Sequence, residues 1–598
     1  MRLLDSRGLF FIAIALAVFS VAGSGVAHRR DSVLAAASTR SACSSDDSGL
    51  KLPPGFCATV FADGIGHARH LVVAGNGVVY VNTWSGNYYP PNEPSPKGGF
   101  LVALEDKTGS GKADVIERFG ETEQTGGHGG TGIALYNGSL YAESNDRIVR
   151  YALHPGAIVP SGPSVTVVSG LPLGGDHPMH PFFISSDGLL YVDVGTATNS
   201  CQSKNRTAGS PGIQPCTELN TRGGIWRFDA RKTDQKFSPA ERYATGIRNA
   251  EGFGIDPVHH RVYVTQHGRD QLHANWPALY KPEEEATLPS EEVMLLKQGG
   301  DYGWPECYYD PYQRKLVLAP EYGGDGGHAV GVCASKIGPV AAFPAHWAPN
   351  AMTFYNQKQF PATYRGGLFI AFHGSWDRAP YAQAGYNIVF QGLSPTGAAG
   401  RCEIFADGFA GGFTSPGEAL HRPSGVAVGP DGALYVADDV RGRIYKITYK
   451  GNAMATSAQP AYTPCPSLTA SPGEVMQAHA RPPEGTNPDA GAAALPVPPG
   501  ATHAMVGLGD RIFHGEVASG TCTACHGPNG TGTPLGPDLT KKKWLWSDGS
   551  WGGITKSITK GVMQPKQYRS PMPPNGGTQL TPEQARAVAA YVWALRHQ

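Results

Sequence analysis

The chain has 598 residues, a formal net charge of zero, only 16% charged residues, and abundant glycine (79) and proline (49). That length allows several domains, and the absence of a basic excess argues against nucleic acid as a partner. Ten cysteines are many for a reducing compartment.

In chain order, residues 1–27 read as a secretory signal: Arg2 and Arg7 flank its start, LFFIAIALAVFSVAG is the apolar core, and Gly25 and Ala27 suit a cleavage site. The apolar run is short for a bilayer span, which needs about 20 residues. The mature chain is therefore expected in the periplasm or outside the cell, with no transmembrane span. Residues 28–50 form an N-terminal segment.

From residue 51 to 452 a turn carrying Gly, Asn or Asp, followed by a short alternating strand with an aromatic, returns six times. The copies are GNGVVYVNT from Gly75, YNGSLYAES from Tyr136, SDGLLYVDVG from Ser186, HHRVYVTQHG from His259, YRGGLFIAFHGS from Tyr364 and DGALYVADD from Asp431. Turn-plus-strand units spaced 50 to 105 residues apart, without long helical patterns between them, predict a six-bladed β-propeller; a large β-sandwich is the alternative, although it lacks such a period. With two cysteines set aside below, eight remain, enough for four disulfides. Proximity suggests Cys201 with Cys216 and Cys307 with Cys333; Cys43, Cys57, Cys402 and Cys465 are left unassigned. Glu283 to Glu285 read as a solvated loop.

Residues 453–500 are rich in Pro, Ala, Thr and Gly and read as a semi-extended linker. Residues 501–598 then form a small all-α domain around the string CTACH. Two thiols three residues apart add to the two vinyl groups of one haem, and the adjoining His ligates the iron, so Cys522, Cys525 and His526 predict one covalent haem c. A zinc half-site would need a second ligand pair nearby, and no further Cys or His follows His526 before His597. Met572, on a proline-fixed loop, is the preferred sixth ligand over Met563, which ends a helical segment. A TPEQ start at Thr581 and apolar residues from Ala585 to Leu595 at helical spacing mark a final helix. The domain resembles a class I cytochrome c, which implies that the Pro537 carbonyl orients His526.

Motifs gather at matching places in successive repeats: GGDHPMH before the third strand, ATGIRNAEGFG before the fourth, TQHGRD after it, FHGSWDR after the fifth and HRPSG before the sixth. With KQGGDYGWPECYY from Lys297, these strings resemble the glucose/sorbosone dehydrogenase family of six-bladed propellers that bind pyrroloquinoline quinone (PQQ). With its cytochrome, the whole resembles a quinohaemoprotein sugar or sorbosone dehydrogenase. The resemblance implies oxidation of an aldose or aldehyde at C1, with PQQ taking a hydride and the haem passing electrons to a downstream cytochrome, copper protein or terminal oxidase. His177 matches the family's base, and an imidazole suits that work near neutral pH; His180 is its competitor and Asp176 a candidate to orient it. Carboxylates of the quinone call for guanidinium partners, and Arg248 with Asn249, Arg378 and Arg422 sit in family motifs, with Arg69, His346 and His373 as further candidates. A calcium ion would be held by the backbone carbonyls of Gly268 and Arg269, although the family's proline is replaced by Arg269. Alternatives from other classes are a calcium-dependent six-bladed lactonase and a non-catalytic binding propeller carrying the cytochrome.

Overall fold

The computed structural model describes residues 48–451 apart from 84–96, 122–129, 379–380, 413 and 415–418; residues 462–468; and residues 495–597 apart from 515–521, 528–529, 533–535, 542, 563, 569–571 and 578–579. The expected signal, most of the linker and Met563 lie outside the described residues.

Residues 56–449 build six antiparallel sheets arranged as propeller blades. The strands read from the sequence are the second strand of each blade: Val79–Thr83, Ser139–Ser144, Leu189–Val194, Val262–Gln266, Gly367–Phe372 and Leu434–Asp438. Each is buried almost throughout, because neighbouring blades cover both faces of its sheet. Such strands favour β-branched and aromatic residues, which made them legible. The turn before five of the six places a glycine at positive φ (Gly77, Gly138, Gly188, Gly366, Gly432), a conformation that strains other residues; blade four uses His260 at φ 55°.

The innermost strands touch one another around the axis and close a ring. Closure is completed out of sequence order: the first strand, Phe56–Ala62, is the outer strand of blade six, pairing antiparallel with Arg443–Tyr449 from Phe56↔Tyr449 to Ala62↔Ile444. Its Phe56 ring meets Phe360, Phe405 and Tyr449 at centroid distances of 4.8, 4.9 and 4.8 Å, which locks blade six to blade five.

The long spacing after the fourth repeat holds two short helices, Leu272–Asn275 and Pro282–Thr287, and a hairpin of Cys307–Asp310 with Lys315–Leu318. Here the reading of Glu283 to Glu285 as a solvated loop is corrected. These residues lie in a helix, and Glu285 is buried, its carboxylate accepting from the Ala274 amide at 2.6 Å. Disulfides join Cys201 to Cys216, Cys307 to Cys333 and Cys402 to Cys465. The last holds Thr463–Pro464 against the outer strand of blade five. Cys57 is disulfide-bonded as well.

The C-terminal domain consists of helices His503–Phe513, Cys522–His526, Trp551–Lys560 and Pro582–Arg596 around a core of Val506, Ile512, Phe513, Ile554, Ile558, Val588 and Val592. Thr581 and Gln584 form a capping box at the start of the last helix. Gly509 lies directly against the Ala587 backbone, where a Cβ would collide, so the first and last helices cross at contact.

Phe56→Ala should lower propeller stability by about 3–5 kcal/mol, the usual cost of removing a buried aromatic, read as a fall in the denaturant midpoint followed by near-UV circular dichroism. An unchanged midpoint would show that blade closure does not depend on this ring.

Candidate functional site

In every blade the first two strands run antiparallel, so the start of the inner strand and the end of the second strand reach the same end of the propeller. This geometry brings the sequence motifs together. His177 precedes the inner strand of blade three and Thr196 follows its second strand. Arg248 and Asn249 precede the inner strand of blade four, and Gly268 to Asp270 follow its second strand. His346 and Arg422 precede the inner strands of blades five and six, while His373, Asp377 and Arg378 follow the second strand of blade five.

His177 is buried, and its Nδ1 lies 2.9 Å from both the carbonyl oxygen and the Oγ1 of Thr196. The Thr196 hydroxyl donates to the carbonyl of Thr198 at 2.8 Å, so its oxygen accepts. Two acceptors at Nδ1 fix the proton there and leave Nε2 with its lone pair. Burial, reinforced by the Arg248 and Arg206 guanidiniums, holds the imidazole well below its usual pKa and therefore neutral. Asp176 does not orient it. That carboxylate instead receives Asn205 and Arg206. The competitor His180 faces Glu143 at 3.3 Å and contacts the Pro172 carbonyl at 3.0 Å, its backbone amide also donating to Glu143.

Beside His177 stands a buried ionic group that the sequence did not reveal. Oδ2 of Asp270 accepts from Nη2 of Arg206 and Nη2 of Arg248, both at 2.9 Å. Burial alone would raise this carboxyl, but the two guanidiniums outweigh it and hold the pKa well below the usual range. Arg248 is further bound to Asn199 through its carbonyl and Oδ1, and to the Gly268 carbonyl at 2.9 Å. His346 donates from Nε2 to the Glu285 carbonyl at 2.7 Å, and its Nδ1 stands 3.7 Å from Oδ1 of Asp270. Burial lowers this imidazole, yet Asp270 and Asp377 push it up to about 9. Oδ2 of Asp377 accepts from the Gln271 amide at 3.0 Å, and burial with the charges of Glu285 and Asp270 raises its pKa. Glu291 bridges blades by accepting from the amides of Gly268 and Ala348, and burial pushes it up to about 7.

A second charged group sits at the mouths of blades one, five and six. Asp439 accepts from Arg69 at 2.7 Å and meets Nε2 of His373 at 2.9 Å, while Arg422 donates to the carbonyls of His373 and Gly374. Arg378 commits Nε and Nη1 to the carbonyls of Ala382, Ala286 and Ala345 and straps loops together. Asn249 lies beside His177, its Oδ1 near the position a Cβ would take at Gly195. The donor set of Arg69, Arg206, Arg248 and Arg422 suits a ligand bearing several carboxylates, such as PQQ. Of the two carbonyls expected to hold calcium, that of Gly268 accepts from Nη1 of Arg248, and the side chain of Arg269 is committed to a buried ion pair with Glu321.

Sequence reasoning missed Thr196, Arg206, Asp270, Asp377 and Asp439. Arg206 lies in the irregular loop closed by Cys201–Cys216, where no periodic pattern exists. Asp270 and Asp377 each adjoin a residue that the motifs did single out.

In the C-terminal domain Cys522, His526, Pro537 and Met572 line one cavity of about 720 Å³, partly open to solvent, with Trp544, Ile554, Ile558 and Val592. Its apolar walls suit a porphyrin. Nδ1 of His526 contacts the Pro537 carbonyl at 2.9 Å, which leaves Nε2 for iron. Met572 is fixed by two backbone hydrogen bonds with Val562, at 2.7 and 3.0 Å. Cys522 and Cys525 take no part in a disulfide.

Fold and sites together define a six-bladed propeller joined to a cytochrome c domain. The chain belongs to the TrAA12-like family, whose model matches residues 50–450, and residues 508–596 match cytochrome c. A pyrroloquinoline quinone-dependent sugar dehydrogenase of Hypocrea jecorina is 24% identical over 335 residues, covering 53% of this chain and 73% of that protein. The cbb3-type cytochrome c oxidase subunit FixP of Rhizobium etli is 38% identical over 77 residues, 12% of this chain and 26% of that one. An uncharacterized Borreliella burgdorferi protein is 28% identical over 217 residues, and the match covers half of its length and 36% of this chain. Among solved structures, a calcium structure of a Trichoderma reesei family AA12 enzyme superposes with a TM-score of 0.53 at 18% identity, covering 67% of this chain and 97% of that one. The holo PQQ domain of pyranose dehydrogenase from Coprinopsis cinerea gives 0.51 at 18% identity with the same coverages. These likenesses establish the propeller fold.

Expression with cytochrome c maturation should yield haem that survives denaturing electrophoresis, and Cys522→Ala with Cys525→Ala should abolish the stained band. Met572→Ala should lower the haem potential in a redox titration while Met563→Ala leaves it unchanged; the reverse pattern would exchange the axial assignment.

Proposed function

We propose that the chain is an exported quinohaemoprotein dehydrogenase that oxidises an aldose or a sorbosone-type aldehyde at C1 and delivers the electrons to its own haem c. The observation that carries this reading is His177: a buried, neutral imidazole with Nδ1 committed to Thr196 and Nε2 open, among converging guanidiniums. The sugar dehydrogenase relative and the cytochrome match support it.

PQQ, when bound, supplies a two-electron acceptor for the C1 hydride. Arg69, Arg248 and Arg422 would hold its carboxylates. Nε2 of His177 takes the proton of the C1 hydroxyl as the hydride leaves, so the substrate loses both without building an oxocarbenium or an alkoxide in isolation. Thr196 keeps the ring in the accepting tautomer, and burial, reinforced by the positive field of Arg248 and Arg206, keeps it unprotonated before each turnover. The proline-rich tether, residues 453–500, confines the cytochrome of the same molecule near its own propeller at an effective concentration commonly in the millimolar range. The oxidase-subunit relatives of the cytochrome segment support a one-electron acceptor beyond it; the signal-like residues 1–27 support a location in the periplasm or outside the cell.

The direct test is the haem spectrum of the purified protein after addition of PQQ, a divalent metal and a panel of sugars and aldehydes. Haem reduction by one of them identifies the substrate, and its rate should not change with protein concentration if transfer is intramolecular. His177→Ala should cut turnover roughly 100-fold or more, the scale of losing a general base, with quinone binding retained. Because the His177 pKa is lowered, kcat/KM should stay flat as pH falls through the ordinary imidazole range near 6.5 and decline only well below it. Arg206→Gln removes a positive charge, raises that pKa and should move the acid limb upward. An acid limb that does not respond would remove His177 from the role of base.

A further inference from the structure

We propose that Asp270, His346 and Asp377 form a divalent-cation site with one nitrogen and two carboxylate donors, which takes a first-row transition ion of the manganese or zinc class in preference to calcium. One ligand atom from each residue lies within 4.8 Å of the others, and all three residues are buried.

Hydrogen-bond polarity identifies the donor atoms. Nε2 of His346 donates to the Glu285 carbonyl, so Nδ1 is the nitrogen turned toward Oδ1 of Asp270, at 3.7 Å, too long for a hydrogen bond; a metal bound there takes the place of the Nδ1 proton. Oδ2 of Asp270 takes both guanidiniums, so Oδ1 is the edge left for a ligand. Oδ2 of Asp377 is oriented by the Gln271 amide. A ring nitrogen and two carboxylates thus converge, and acceptors that meet in a buried space need a cation between them.

Charge points the same way. Four acidic side chains, Asp176, Asp270, Asp377 and Glu285, share this region with three basic ones, Arg206, Arg248 and His346. A dication offsets that excess. Metal bonds of about 2.0–2.2 Å would draw Nδ1 and Oδ1 closer by roughly half an ångström, within reach of a carboxylate rotation. An imidazole donor selects against calcium, which takes oxygen ligands. The carbonyl of Gly268, engaged by Arg248, is not required.

A decisive experiment takes the full-length haem protein, freed of other metals by chelator and studied without quinone or sugar, so that its failure is distinct from failure of the dehydrogenase reading. Titration with Mn²⁺ alone should give one ion per chain beyond the haem iron, raise the thermal midpoint with ion concentration, and show coupling to a single imidazole nitrogen by pulsed electron paramagnetic resonance. His346→Gln should remove that nitrogen signal. Asp377→Asn should weaken binding about tenfold or more, with an unchanged near-UV circular dichroism spectrum and metal-free thermal midpoint certifying the propeller fold. Ca²⁺ should compete weakly. Absence of both uptake and midpoint shift in the wild type would overturn the proposal and leave a proton bridging His346 and Asp270. Tight Ca²⁺ binding indifferent to both substitutions would overturn it in favour of backbone ligands.

Discussion

Asp270 is the group on which the funnel turns. A single buried carboxylate gathers Arg206 from the disulfide-closed loop and Arg248 from the entry to blade four, and its other oxygen faces His346 from blade five. Breaking a buried pair of this kind costs about 3–5 kcal/mol, because the partner charge is left without compensation. Each guanidinium therefore depends on Asp270 for its tolerance of burial, and the two then outweigh the opposite pull of Asp270 on the buried His177. The base is kept unprotonated first by its burial and then by Arg206 of its own blade and Arg248 at the entry to the next.

How much of this was legible in the sequence follows from which contacts are local. A second strand covered on both faces must be apolar and preceded by a tight turn, so Val79–Thr83 or Leu434–Asp438 announces itself. The same holds for the CTACH string and for the capped helix Pro582–Arg596. The fold and the haem segment could therefore be read directly. Asp176 was readable as a neighbour of His177 in sequence, yet the turn sends its carboxylate to Arg206 and leaves Thr196, across the blade, to set the tautomer. Glu285 looked like one of three solvated acids until the helix Pro282–Thr287 turned it inward to cap Ala274. Side-chain direction within a loop is decided by tertiary partners, and local pattern carries no record of them.

The two halves of the molecule solve opposite electrostatic problems. The propeller funnel concentrates buried charge and satisfies it with fixed dipoles and counter-ions. The cytochrome cavity is nearly free of charge, with His526 held by one carbonyl and the Met572 loop pinned by backbone bonds. Low polarity of this kind, with the thioether of Met572 as the expected sixth ligand, would favour reduced iron, the direction that the proposed relay requires.

The pairing of Phe56–Ala62 with Arg443–Tyr449 also sets an order of assembly. The segment synthesised first waits for a partner from the far end of the propeller sequence, so the ring stays open until almost the whole propeller has been made. Under the export proposed above, threading from the N-terminus would postpone closure to the far side of the membrane. There the closing strand completes the ring and the funnel acquires its shape.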